Sequence, residues 1–309
     1  MNNIRYLLKA AVLVMLVFVA ANQLTFPLLK AAIAGIKFRA VVAANAAAYI
    51  TGGQRVTLFI GNSRIMGGIE PGFISDAGGV AYNLAYNGLY LDDLRLMLDA
   101  FMRSCDCQVE YVYANPDIFR VSQNGGRGIS ELQRFLSGFD APAMRAVQDR
   151  DAVFAIAMRL FPLLHFNNEF FLRALYYSIT GKDDQRHGSD YKITISREME
   201  LRLRDAPLDA ELDSAALQAL QSWLSGAGAR LVIIEPPYHR ADLENVPGFE
   251  MAQSAISATV TGAGVSYLDH SGLFHDQPGL FSDPLHLNRE GQRQYSGYIL
   301  EIMQAAEGL

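Results

Sequence analysis

Hydrophobic positions along this chain change their spacing from stretch to stretch, and each spacing predicts an element. Ala10 to Leu29 is almost wholly apolar and holds no charge before Lys30, with Arg5 and Lys9 ahead of it. A helix of about 20 such residues matches a bilayer core. Ala31 to Ala48 is alanine-rich and reads as a continuing helix. Val56-Thr57-Leu58-Phe59-Ile60 is a continuous apolar run of the kind buried on both faces of a parallel sheet, and Gly61 ends it. Leu91 to Arg103 places leucine and methionine at helical spacing, with Asp92 and Asp93 in the first turn where carboxylates meet the positive dipole end. Val109 to Tyr113 then alternates as a strand, which gives a strand-helix-strand rhythm. From Ser122 to Gly128 the chain turns polar and glycine-rich, and Ile129 to about Leu220 shows helical stretches without strand alternation. Gly226-Ala227-Gly228 closes the helix over Leu217 to Leu224. Arg230 to Glu235 is the next buried strand, stopped by Pro236-Pro237.

These elements predict an α/β fold with a central parallel sheet. Residues 1-30 form a membrane anchor, 31-53 a helical tether, and 54-309 one catalytic domain with a mostly helical insertion at about 122-220. A cleaved signal peptide ending near Ala20-Ala21 is the competing reading of the N-terminus. Hydrophobicity persists through Phe26 to Leu29, beyond such a site, and this favours a retained anchor. Lys30, Lys37 and Arg39 balance the charges before the span, so positive charge alone leaves its orientation open. The aromatic groups Phe161-Pro162, Phe166 to Phe171 and Tyr176-Tyr177 read first as core. A lid, a polysaccharide platform and a surface for a membrane partner are the alternatives.

Half of the residues are hydrophobic and the formal net charge is -6, with no lysine or arginine cluster. Nucleic acid needs a basic face, so that class of partner is excluded. A strongly anionic polymer is disfavoured on the same ground, unless Arg64, Arg120 and Arg127 form a local basic groove. Cys105 and Cys107 stand either as a disulfide across one residue or as two thiols. Without histidines or further cysteines near them, zinc is not indicated.

Candidate chemistry lies at two distant points. Ser63 falls just after the Val56–Ile60 strand, at the carboxyl edge where open parallel sheets gather their sites. Asp283-Pro284-Leu285-His286 lies close to the C-terminus. A serine needs a base to become nucleophilic at neutral pH, and His286 is the candidate base. Asp283, three residues earlier, is placed to orient its imidazole. Tyr238-His239 follows the second buried strand, where His239 is either a surface turn residue, a substrate contact or an alternative base. His165 and His187 lie in the insertion, while His270 and His275 flank Ser271 to Phe274. None forms a recognised metal-ligand spacing, and the chemistry requires no metal or cofactor.

With these residues in order, the chain resembles the SGNH (GDSL-like) hydrolase superfamily. The resemblance is carried by Gly61-Asn62-Ser63-Arg64, Tyr82-Asn83-Leu84-Ala85-Tyr86-Asn87-Gly88, Val112-Tyr113-Ala114-Asn115-Pro116-Asp117 and the terminal Asp283-x-x-His286. Asn62 stands where the family has aspartate, and Tyr113-Ala114-Asn115-Pro116 differs from its usual Gly-x-Asn-Asp. Asp117-Ile118-Phe119 and Pro236-Pro237-Tyr238-His239 extend the likeness to a membrane-anchored subgroup, the alginate-acetylating and D-alanine-transfer proteins of cell envelopes. The resemblance implies a flavodoxin-like three-layer sandwich and a Ser63-His286-Asp283 triad. It also implies an oxyanion hole from Ser63, Gly88 and Asn115; Arg64 and His239 are the candidate substrate contacts by their place at the strand ends. It places the catalytic body in the periplasm, anchored to the inner membrane. The implied partners are an acyl donor, a polysaccharide acceptor and a multispanning membrane acyltransferase. Transfer to a sugar, hydrolysis by an esterase, and a noncatalytic assembly role remain open at this level.

Overall fold

The computed structural model describes residues 2–77, 79–121, 128–182 and 211–307. Its sheet has five parallel strands: β1 (Arg55–Ile60), β2 (Ala81–Asn83), β3 (Gln108–Ala114), β4 (Arg230–Glu235) and β5 (Ser266–Asp269). Their order is β2-β1-β3-β4-β5, which reverses direction beside β1. Ligands in such sheets bind outside the carboxyl ends of the strands at the reversal, and Ser63 follows β1 there.

Helices α1 (Asn2–Ile33) and α2 (Arg39–Ala44) precede the sheet. Between the strands lie α3 (Ser63–Gly68), α4 (Pro71–Asp76), α5 (Leu91–Ser104), α6 (Glu131–Ser137), α7 (Ala141–Arg150), α8 (Ala152–Leu160), α9 (Glu169–Thr180), α10 (Ser214–Gly226), α11 (Arg240–Asn245) and α12 (Phe249–Gly262). The C-terminal α13 (Arg289–Glu307) follows β5. Neighbouring side chains in the central strands leave on opposite faces, as the period of two requires. Leu58, Val112 and Ile233 join one buried cluster, and Phe59, Tyr113 and Val232 join another with Tyr295 and Ile299 of α13. The continuous apolar runs of β1 and β4 follow from burial on both faces.

The chain between β3 and β4 is helical where it is described. It is no peripheral addition, because Leu132, Phe135, Phe166, Phe170 and Ala174 belong to the first cluster. Ser130 caps α6 through a reciprocal bond with Gln133, and Asp140, Asp151 and Asn168 cap α7, α8 and α9. His187 and Arg127 lie outside the described residues. Cys105 and Cys107 are joined as a disulfide.

The expected tether at 31-53 is corrected. Helix α1 ends at Ile33, and Ile33, Phe38, Val41, Val42, Ala46 and Ile50 are buried in the first cluster. The Arg39 guanidinium donates to the carbonyl of Ala85 at 2.9 Å, and Phe38 stacks with Tyr177 at 5.6 Å. Alanines fit a tethering helix and also permit close packing, and here packing decides. Helix α1 is long and apolar enough to span a membrane.

Candidate active site

Strand β1 delivers Gly61 and Asn62 to the sheet edge. A Cβ on Gly61 would lie 2.2 Å from Asn115 Oδ1, so only glycine lets the two strand ends approach this closely. Asn62 has extended backbone and caps α3, its Oδ1 accepting the Arg64 N–H at 3.0 Å. The asparagine thus does the capping that an aspartate would do, and it turns Ser63 out at the start of the helix.

The other half of the site is a tight turn near the C-terminus. Asp283 Oδ1 accepts the N–H groups of Leu285 and His286, both at 2.8 Å, and this closes the Asp-Pro-Leu-His turn. The His239 N–H donates to the Pro284 carbonyl at 3.0 Å and ties the turn to the end of β4. His286 Nδ1 lies 2.7 Å from Asp283 Oδ2, and its Nε2 lies 2.8 Å from Ser63 Oγ. Residues 223 positions apart therefore meet in one continuous Ser-His-Asp relay. Burial works to raise the Asp283 carboxyl. Its hydrogen bond and charge interaction with His286, together with the two backbone N–H donors, outweigh burial and hold it below the usual carboxylate range. An ionised Asp283 fixes the tautomer with the proton on Nδ1, which makes Nε2 the acceptor facing the serine hydroxyl.

The loop carrying Gly88 is tied to the same edge. Leu84 N–H donates to the Phe59 carbonyl at 2.7 Å and Tyr86 N–H to the Gly61 carbonyl at 2.9 Å. The buried Asn83 amide holds the carbonyls of Ile65 and Ile69. Gly88 has φ +69°, a left-handed conformation that glycine adopts without strain.

Asn115 is corrected as an oxyanion donor. It is fully buried, and its amide donates to Asn62 Oδ1 at 2.9 Å and to Asp117 Oδ2 at 2.5 Å. Both protons are committed, and its Oδ1 accepts the Asn62 N–H at 3.2 Å. Its observed work is to brace the turn that carries Ser63.

Arg64 is likewise corrected as a substrate contact, since its side chain is buried. Its Nη1 reaches Glu235 Oε1 at 2.5 Å, Tyr238 Oη at 2.8 Å and Asp117 Oδ2 at 3.3 Å, and Nη2 donates to the Pro236 carbonyl at 2.6 Å. The guanidinium also lies over the Tyr238 ring at 3.8 Å. Burial works against its charge, but Tyr238, Glu235 and Asp117 outweigh that cost and keep it protonated. Asp117 is the second centre of this network. Burial favours its neutral form, yet Arg64 and Arg120 hold it below its ordinary range, Arg120 from 2.6 Å.

Sequence reasoning did not single out Glu235 as part of the site, although a carboxylate closing a buried strand was the available signal. Replacing Arg64 with alanine leaves Glu235 and Asp117 buried with their shared cation gone. The expected cost is about 3–5 kcal/mol of folding stability, read as a lower denaturation midpoint at unchanged slope. A wild-type midpoint would contradict the network's role.

Glu235 sets a pH dependence. Burial pushes its carboxyl up from an ordinary 4.5 to about 7, against the pull of Arg64. Between these values the folded chain holds a proton that the unfolded chain has released, so this contribution is complete below pH 4.5 and is lost as pH rises through 7. The stability difference between wild type and Glu235→Gln, followed by denaturation from pH 4 to pH 8, should therefore shift against wild type as pH rises. A pH-independent difference would contradict the assignment.

His239 meets Phe281 edge-on at 5.4 Å at the rim of the turn. His270 is buried against Tyr295, 2.9 Å from its hydroxyl, and burial pushes it down to about 4. His165 is buried with Nδ1 2.8 Å from Ser137 Oγ, and His275 lies near Glu244 at the surface. Among the described residues no group of histidine, cysteine and carboxylate side chains is arranged to hold a metal. No family model matches the chain, and no curated protein matches it.

Proposed function

We propose that this chain is a membrane-anchored serine O-acyltransferase of the SGNH type, which moves an acyl group, most simply acetyl, onto a cell-envelope or extracellular polysaccharide. The observation that carries the reading is the hydrogen-bonded Ser63-His286-Asp283 relay at the carboxyl edge of a parallel sheet. The motif order and the sheet order support a flavodoxin-like three-layer arrangement, with the helical stretch between β3 and β4 as an insertion outside the resemblance. The apolar α1 supports an anchor, and the resemblance supports a periplasmic body on the inner membrane, beside a multispanning partner that supplies the acyl donor.

In this mechanism Ser63 Oγ attacks the carbonyl carbon of an acyl ester while His286 Nε2 takes its proton. The N–H groups of Ser63 and Gly88 stabilise the negative oxygen of the tetrahedral species. Collapse breaks the bond to the leaving alkoxide, which receives the proton from His286, and leaves an acyl-serine. A sugar hydroxyl then gives its proton to His286 and attacks the acyl carbon, and Ser63 is regained when its bond to that carbon breaks and His286 returns the proton to Oγ. Water in place of the sugar would make the same site an esterase.

The test is to incubate the purified full chain with an activated acetyl ester, with and without an acetyl-accepting oligosaccharide. Transfer predicts acetylated sugar formed in preference to free acetate. Acetate as the sole product would overturn transfer in favour of hydrolysis, and no turnover with either acceptor would favour an assembly protein.

A further inference from the structure

Helices α8 and α9 each carry two apolar faces, of which one is covered. Ala155 and Met158 of α8 and Phe170 and Ala174 of α9 are buried. On the opposite faces Val153 (79% exposed), Ile156 and Leu160 form a stripe on α8, and Leu172, Leu175, Tyr176 and Ile179 (77% exposed) form one on α9. The spacing of each set, three and four residues, puts it on one side of its helix. Apolar stripes left exposed among the described residues mark a surface that meets another apolar phase.

Their position relative to α1 identifies that phase. Phe18 of α1 packs on Phe161 at 5.6 Å, the Gln23 amide donates to the Arg159 carbonyl at 2.6 Å, and Phe26 stacks on Phe166 at 5.0 Å. Ahead of these contacts, Ile4 to Val17 is exposed along its whole length. The uncharged part of that segment, Ala10 to Val17, extends only about 12 Å as helix, short of the ~30 Å hydrocarbon core of a bilayer. If α1 crosses a membrane, the apolar layer must also take in the rest of the uncharged run, from Phe18 toward Leu29, which begins where the end of α8 is held. An apolar cavity of about 440 Å³ opens there, lined by Phe18, Asn22, Phe161, Leu163, Leu164 and Asn167. Arg159, exposed Arg173 paired with Glu169, and Lys182 over the Tyr176 ring border the stripes. Basic and tyrosine side chains at such a margin suit anionic headgroups.

We propose that the exposed faces of α8 and α9 lie on the bilayer that α1 spans, at the headgroup–acyl boundary of the leaflet where α1 emerges. The inference rests on the anchor reading of α1. It makes the catalytic body a monotopic membrane-surface domain held in a fixed orientation, rather than one swinging on a tether.

The experiment uses the full chain in proteoliposomes free of other proteins. Trp223 is the chain's one tryptophan, so a Trp223→Phe background accepts single probes: Ile156→Trp, Ile179→Trp, Leu13→Trp in α1, and Met251→Trp on α12 as an exposed control. Lipids brominated near the headgroup should quench Ile156→Trp and Ile179→Trp by about twofold or more, as expected for interfacial depth, and leave Met251→Trp unchanged. Lipids brominated deep in the chain should quench Leu13→Trp. If the α8 and α9 probes behave like Met251→Trp while Leu13→Trp is quenched, the surface proposal fails and the anchor stands. If Leu13→Trp is also unquenched, the anchor reading itself fails. Blue-shifted α8 and α9 emission without bromine quenching would mean that protein covers these faces, which also overturns the proposal. Photoactivatable lipid cross-linked to the unsubstituted chain gives a check independent of folding of the variants. Adducts on α8 and α9 peptides support the proposal, and adducts confined to α1 contradict it.

Discussion

Replacing Ser63 with alanine is expected to abolish the acyl-enzyme and lower turnover of an activated acetyl ester by on the order of 10⁴-fold or more, because every later step passes through that oxygen. The substitution removes one half-buried hydroxyl and leaves the Asn62 cap and the Arg64 network in place. Folding stability should therefore stay close to wild type. Loss of activity with an unchanged denaturation midpoint separates chemistry from folding. Residual turnover within about tenfold of wild type would mean that Ser63 is not the nucleophile.

The second large effect is expected from Asp283→Asn. In the wild type the carboxylate accepts from His286 Nδ1 at 2.7 Å. An amide rotated to donate to Nδ1 moves the imidazole proton to Nε2, where it faces Ser63 and can no longer accept the serine proton. Comparable tautomer reversal costs about 10⁴-fold in kcat. The asparagine oxygen can still accept the N–H groups of Leu285 and His286, so the turn should persist. A kcat loss with a nearly unchanged KM is the expected split, and a loss confined to KM would assign Asp283 to substrate binding instead.

The parts of the site that were legible in the sequence depend on short-range rules. A continuous apolar run ended by glycine marks β1, and the Asp-x-x-His turn is closed by its own aspartate, so both halves could be read without knowing the fold. Their meeting was implied by motif order, and the sheet order supplies the geometry.

Arg64 was harder to read because its fate is set by partners far along the chain. Beside a nucleophile it suggested a substrate contact, whereas Glu235 and Tyr238, 171 and 174 positions later, enclose it. Asn115 was hard to read for a related reason, since Asn62, 53 positions earlier, and Asp117 take up its amide protons. The stretch from Ala31 to Ala48 carries small residues that suit either a tether or a packed core, and partners far along the chain, such as Phe170 and Tyr177 against Phe38, show which environment claims it. Short β2 and β5 left little periodic signal. Strand β2 has three residues, and β5 is an edge strand whose residues are partly exposed.

The most direct measurement is peptide-mapping mass spectrometry of the intact chain, quenched soon after mixing with an activated acetyl ester, beside Ser63→Ala. An acetyl adduct on Ser63 in wild type, absent from the same peptide of the variant, is the predicted result. Turnover of the ester with no adduct on Ser63 in wild type, or with an equal adduct elsewhere in both proteins, would contradict acyl transfer through Ser63.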